Sequence, residues 1–304
     1  MSEVSPHDRF FKATLGRPDR LGKILKAFLP PEISALLDPG SLVALTTESV
    51  GEGLDVSFMD LAFMARFGDQ QARVHLIVEH KSSPDPTTHF QLIHYLSGLW
   101  VREIKEKRKP LPLLPILFYH GKTSWNLPAR LVDVLRPPAE LLDVTPDFRF
   151  HLIDLNRVDD EDVRRHAGDL EAVLALLSLK HIFDGVAPLM RLLLKEIWER
   201  KAPHAILKPE MSYVVGVYEI STSQEMKRIV DPIAREVGMA QDIVDTWLEE
   251  ALQKGVQQGI QQNQNQMIER LLQKGESSIE EIASLVGVDI ERVRKVAESI
   301  GHGF

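Results

Sequence analysis

The spacing of apolar residues changes several times along the chain. From 19 to 30, DRLGKILKAFLP places apolar residues at helical spacing and stops at Pro30-Pro31, which predicts a helix. LDVSFMDLAFMARF (54–67) is rich in β-formers and partly alternating; the polar GDQQ leads from it into RVHLIVEHKSS, and the two runs predict a hairpin. After the loop SSPDPTT a helix is expected from Thr88 to Lys107, with Phe90, Ile93, Leu96, Trp100 and Ile104 as its buried face. LLPILFYHG (113–121) and FRFHLIDL (148–155) read as inner strands. Segments 161–180 and 187–200 each read as an amphipathic helix, KAPHAILKPE (201–210) as a connection, and the chain from about 225 as helical again. Its glutamine-rich part, 257–266, has few apolar anchors and reads as an exposed or pairing helix. Helix, hairpin, helix, strands and then helices imply an α/β core with a helical C-terminal region.

Composition narrows the class. With 304 residues, the chain is long enough for one large domain or two smaller ones. It has no cysteine, which excludes disulfides, thiolate catalysis and cysteine zinc sites and fits a reducing compartment. The start, MSEVSPHDRFFK, lacks the apolar core of a signal peptide, and LPLLPILFY is too short and proline-broken to span a membrane. A cytoplasmic protein without a membrane partner is expected. The net charge of -8 argues against a basic nucleic-acid coat, but not against a nuclease whose bound cation reverses the local field. Residues 102–109, REIKEKRK, are locally basic and read either as a helix end suited to the dipole or as a phosphate-contacting surface.

The apolar run LIV (76–78) ends abruptly in Glu79-His80-Lys81. If Gly68 to Gln71 form the turn, Phe67 faces Ala72, and Asp60 then falls directly opposite Glu79, with Cα atoms about 5 Å apart. Like charges so placed are destabilising unless something offsets them, and a divalent cation with oxygen ligands would do so. Lys81 shares a strand face with Glu79, where an ammonium could orient a water or balance charge on phosphate. His80 points the other way and offers its backbone carbonyl as a metal ligand. The bland alternative is a strand end at which Lys81 simply pairs the two acids.

An acid in one strand followed by E-x-K at the end of the next resembles the PD-(D/E)XK nuclease superfamily. HDRFFK, FMDLAF, LIVEHKSSPDP with HFQLIHYL, and PILFYHGKTSW together resemble, over residues 5 to 220, the Rpn family of recombination-promoting nucleases, also called YhgA-like or PD-(D/E)XK transposases. The resemblance implies a restriction-endonuclease-like mixed sheet flanked by helices over 1–220, followed by a helical region over 221–304. It also implies a metal-dependent DNA endonuclease linked to recombination or mobile elements. Asp60 and Glu79 would be ligands of Mg²⁺ (Mn²⁺ and Ca²⁺ are the other candidate ions), and Lys81 the catalytic lysine. Gln91, one turn into the following helix, would support the site or be plain helix surface. Asp8 would be an additional acid or a helix cap. The alternative from another class is a non-catalytic DNA-binding or interaction protein on a degenerate nuclease fold.

SSIEEIASLVGVDIERVRKVAESI (277–300) has helix-turn-helix character, with Ala283, Gly287 and Val293 at the small, turn and β-branched positions. Its second helix would present Arg292, Arg294 and Lys295 to DNA, or the pair would serve packing, with the C-terminal helices joining two copies of the chain. His75, His80, His89, His94 and His120 match no zinc spacing, and no phosphate-binding glycine loop or G-x-S-x-G turn is present.

Overall fold

The computed structural model describes residues 6–45, 61–79, 84–220, 222–238, 264–265, 267–272 and 278–299. The chain divides into two compact units, Val4–Tyr213 and Val214–Phe304.

The first unit is built on one five-stranded mixed sheet whose spatial order, β1-β2-β3-β4-β5, is also its chain order. β1 (Leu37–Ala44), β2 (Leu61–Phe67) and β3 (Gln70–Glu79) form an antiparallel meander. β4 (Leu113–Tyr119) and β5 (His151–Asp154) add parallel to β3. β1 has no counterpart among the sequence expectations. Its Asp38-Pro39-Gly40 reads as a turn, and the ladder is bulged between Asp38 and Val43, as an edge strand carrying proline tolerates.

The hairpin forms, but its register differs from the expected one. Phe67 pairs with Gln70, not Ala72, and Leu61 with Leu76. The turn is the two-residue Gly68-Asp69, with Gly68 at φ 58°, the left-handed conformation that a two-residue hairpin needs at its first central position. The two strands therefore slide by two residues against the expectation, which keeps faces but moves partners. The described ladder ends at Leu61 and Leu76, and the expected pairing of Asp60 with Glu79 lies outside the described residues.

Helices cover both faces. α1 (Pro6–Thr14) lies on one, with Phe11 against Phe118 of β4 at 4.9 Å between ring centroids. α2 (Pro18–Phe28) packs on β1, and the short α3 (Pro31–Ser34) follows it. α4 (Thr88–Lys105) is the crossover between β3 and β4 and covers the other face, where Leu92 and Tyr95 share a core with Leu117, Tyr119, Trp125 and Phe150. Its buried side is only partly the expected one, since Leu96 is buried and Ile93 half-buried. Phe90, Trp100 and Ile104 are exposed, while Thr88, His89, Leu92, Tyr95, Leu96, Leu99 and Glu103 are buried. The helix carries two apolar stripes, and the sheet takes the one that also brings polar groups inward. Glu103 is stabilised there because its Oε2 accepts from the Leu111 backbone N–H at 3.0 Å.

α5 (Leu131–Leu135) lies between β4 and β5. The single helix expected over 161–180 is two, α6 (Asp160–His166) and α7 (Leu170–His181), because Asp169 caps a new helix by accepting from Ala172 N at 2.8 Å. α7 is buried along Ala172–Leu179, so it is a central core helix rather than an amphipathic one. α8 (Val186–Glu199) packs on it, and α9 (Lys208–Tyr218) begins inside the segment expected to be a connection.

Where these helices meet, Arg20 donates to Thr14 O at 2.6 Å and pairs with Glu171 at 2.6 Å and Asp169 at 3.5 Å. Glu210 on α9 is 2% exposed, and its Oε2 has no hydrogen-bond partner. Burial pushes its carboxyl up to about 8; Glu171 adds to the rise and Arg20 opposes it.

In the second unit, α10 (Ser223–Glu236) starts at Thr222, whose side chain accepts from Glu225 N. α11 (Ile279–Val286) opens with a capping box between Ser278 and Glu281, and Gly287, at φ 71°, turns the chain into α12 (Ile290–Ser299). Ala283 and Val293 meet in a small core with Ile282, Val296, Ile268 and Leu272, as the helix-turn-helix spacing predicts. Among the described residues, no helix is long and apolar enough to cross a membrane.

Candidate functional site

β3, β4 and β5 run parallel and end at one pole of the sheet. There Glu79 is in register with Tyr119, and Tyr119 with Asp154. Register partners share a face, and Tyr119 belongs to the core under α4, so position 79 falls on the α4 side at the end of a central strand. The expected site residues Asp60, His80 and Lys81, and the side chains of Glu79 and Asp8, lie outside the described residues.

The other expected residues divide by face. Gln91 sits in the first turn of α4, at the pole where β3 ends and on the helix covering the face of position 79. It is half-buried, and its Nε2 lies 3.3 Å from Thr87 Oγ1. Asp85 fixes that turn, accepting from Thr87 N at 2.9 Å and Thr87 Oγ1 at 2.8 Å. Asp8 is the third residue of α1 and not its cap, and α1 belongs to the opposite face. The basic stretch 102–109 takes in the last turn of α4 and the residues after it, ahead of β4 and at the opposite pole from position 79. Glu106 there pairs with both Arg102 (2.6 Å) and Arg108.

Several groups at the same pole escaped the sequence reading. Asp154, buried, accepts from Trp125 N at 2.8 Å and Asn156 N at 3.0 Å and meets Arg157 Nε at 3.3 Å. Asn156 Nδ2 donates to Gly121 O at 2.8 Å and Arg157 Nη2 to Trp125 O at 2.6 Å, so the HGKTSW loop is stapled to β5. Asp154 thus spends its charge on positioning a loop. On the α1 side, His7 Nδ1 and the Tyr213 hydroxyl are 2.6 Å apart, and the His7 ring lies 5.2 Å from that of the fully buried His120. Phe183 lies nearly parallel to His120 at 6.3 Å, and Lys122 Nζ is 5.8 Å from the Phe183 centroid. These contacts tie α1, the end of β4, the α7–α8 turn and α9 together around the strand ends. The HDRFF and FYHG segments were visible as motifs, but their mutual packing had no local signal. His89 and His94 separate as expected: His89 is buried beside Phe150, which holds its imidazole below the ordinary range, and His94 is exposed.

In the second unit the three expected DNA-contacting residues are not alike. Arg292 Nε and Nη2 both lie 3.2 Å from Asn265 Oδ1, so this side chain ties two helices together. Lys295 is exposed and 4.0 Å from Glu291; Arg294 is exposed.

The family described as "Putative transposase, YhgA-like" matches residues 5–204. The chain is similar to the recombination-promoting nuclease RpnD of Escherichia coli O157:H7, at 31% identity over 59% of this chain and 68% of the relative. It is also similar to the recombination-promoting nuclease RpnC of Escherichia coli K12, at 29% identity over 59% of each. The inactive recombination-promoting nuclease-like protein RpnE of the same strain is 28% identical over 59% of this chain and 60% of its own length. The match thus spans less than two thirds of RpnC and RpnE. No solved structure matches the chain.

Proposed function

The chain belongs to the YhgA-like transposase family, and from that premise we propose that it is a metal-dependent DNA endonuclease of the PD-(D/E)XK type, acting in recombination or on mobile elements. The observation that carries this reading is the place of Glu79. It closes a central strand at the pole where three parallel strands end, and the chain continues from it into His80 and Lys81. The donor set fits a hard divalent cation. The carboxylates of Asp60 and Glu79 and the carbonyl of His80 are oxygen ligands, and Mg²⁺ is usually held by one or two carboxylates plus substrate phosphate. Among the described residues, no group of three or more His, Asp or Glu side chains is arranged to hold a metal.

When bound, the ion supplies Lewis-acid polarisation of a phosphate oxygen and eases deprotonation of the attacking water. Asp60 and Glu79 would hold it. Lys81 balances charge building on the phosphate and orients the water. Gln91 supports the same face from the first turn of α4. No covalent enzyme intermediate is required.

RpnE favours a second reading, because an inactive relative is nearly as similar as the nucleases RpnC and RpnD. In that reading the chain binds DNA on the same fold without turnover. Plasmid nicking by purified protein with Mg²⁺, Mn²⁺ or EDTA, beside Asp60→Ala, Glu79→Ala and Lys81→Ala, separates the two. Metal-dependent nicking lost in all three variants is expected. Nicking that survives them places the chemistry elsewhere, and DNA binding without nicking under any metal establishes the second reading.

A further inference from the structure

The HGKTSW loop that leaves β4 is anchored at both ends. Gly121 and Trp125 are buried. The Gly121 carbonyl accepts from Asn156 Nδ2 at 2.8 Å, Trp125 N donates to Asp154 at 2.8 Å, and the Trp125 carbonyl accepts from Arg157 Nη2 at 2.6 Å. The Trp125 indole also donates to Leu127 O at 2.9 Å. Connecting segments are ordinarily the mobile part of a protein surface. Here a buried carboxylate at the end of β5 and two side chains just beyond it are committed to holding one in shape.

Between the two anchors, Lys122, Thr123 and Ser124 are exposed. The arch therefore presents an ammonium and two hydroxyls with no acid among them, and these are donors that phosphate oxygens accept from. Lys122 Nζ lies 5.8 Å from the Phe183 centroid, a contact that steadies the ammonium without neutralising it, and among the described residues it joins no ion pair. The acids that follow β5 are already engaged. Asp159 accepts from Glu161 N at 2.8 Å, Asp160 pairs with Lys180 and lies 3.0 Å from His181, Glu161 meets Arg164 at 3.0 Å, and Asp162 meets Arg165 at 3.9 Å.

The arch stands one strand over from Glu79. Tyr119 is the register partner of Glu79 on the neighbouring strand, about 4.8 Å away, and Lys122 follows it by three residues, at most about 11 Å of chain. Position 79 falls on the α4 side of the sheet, whereas the Lys122 ammonium reaches Phe183, beside His120 on the α1 side. We infer that the 121–125 arch holds the backbone of the DNA, with Lys122 on a phosphate neighbouring the one at Glu79, so that the bound strand crosses the end of β4 from the α4 side to the α1 side. Thr123 and Ser124 donate to the same stretch of backbone. Asp154, Asn156 and Arg157 are positioning residues, acting on DNA only through the loop they hold. This role presupposes that DNA is bound at this pole, as the proposed function requires, and it assigns the arch to phosphates and not to bases.

The test is fluorescence anisotropy of the full chain on labelled DNA duplexes in EDTA, where no metal-dependent cleavage intervenes, repeated across a series of KCl concentrations. Lys122→Ala should lower the slope of log affinity against log salt by about 1 and weaken binding about equally on unrelated sequences. Lys122→Arg should keep the wild-type slope. Asn156→Ala removes one anchor but no charge, so it should weaken binding at the wild-type slope, with an unchanged circular dichroism spectrum. Lys105→Ala, an exposed lysine at the opposite pole, should leave slope and affinity alone. A wild-type slope in Lys122→Ala overturns the inference, as does an equal fall in Lys105→Ala or a wild type that binds no DNA. Wild-type affinity in Asn156→Ala overturns the part given to the anchors. Plasmid nicking with Mg²⁺ separates this role from the proposed activity. The expected slopes without nicking keep the arch and remove the endonuclease reading, whereas metal-dependent nicking with an unshifted Lys122→Ala slope removes the arch alone.

Discussion

Replacing Glu210 by glutamine should change how the stability of the protein depends on pH. The carboxyl is buried, its Oε2 lacks a hydrogen-bond partner, and its pKa is pushed from 4.5 to about 8. In the unfolded chain it ionises near 4.5, while in the folded protein it keeps its proton until about 8. Between those values the folded state holds one proton more than the unfolded state, so stability falls as pH rises. The contribution is intact below the lower value and lost as pH climbs through the upper one. Each pH unit in the window lowers the folding constant about tenfold, so from about pH 5 to about pH 7 the loss is about a hundredfold, or about 3 kcal/mol. Glutamine removes this dependence. It also brings an amide N–H₂ that needs partners, at a cost of about 1–3 kcal/mol, but that cost does not vary with pH. The measurement is therefore the difference in urea unfolding free energy between variant and wild type at several pH values. The variant should gain on the wild type steadily from about pH 5 to about pH 7. Parallel curves would show that Glu210 is ionised in the fold, and the argument from burial would fail.

Two further outcomes follow from the geometry. Gly68→Ala places a side chain at φ 58° and should cost about 1–2 kcal/mol in urea unfolding, with the β2–β3 amides losing protection in hydrogen exchange; an unchanged midpoint would refute the two-residue turn. Arg292→Ala should lower the melting temperature by releasing Asn265, whereas Arg294→Ala should leave it unchanged, and equal effects would refute the division of roles along α12.

The sheet strands were readable wherever burial alone shaped them, as in ILFY and LID, because a core strand writes its environment into consecutive residues. The register of the hairpin was readable in principle: Gly-Asp between two apolar runs is a two-residue turn signal, and the longer polar stretch obscured it. α4 failed differently. Periodicity found an apolar stripe, but the helix has two, and the one that the sheet accepts is marked by Thr88, His89 and Glu103, which look like surface residues until the backbone of Leu111 meets Glu103. The end of β3 was legible at Glu79, because a charged residue interrupts an apolar run there. Asp154 and His7 were not, since each acquires its role from partners far away in sequence, Trp125 in one case and Tyr213 in the other.

The coincidence of strand order with chain order bears on how the protein is made. Each strand that leaves the ribosome finds its neighbour already present, since β2 docks on β1, β3 on β2, β4 on β3 and β5 on β4. Among the described strands none is inserted between two earlier ones, and the parallel addition of β4, which needs α4 to cross over, closes the longest connection among the first four. The pole that carries Glu79 is thus completed last, as β4 and β5 close beside it, so a chain stalled before residue 113 holds the acid but not the parallel strands beside it.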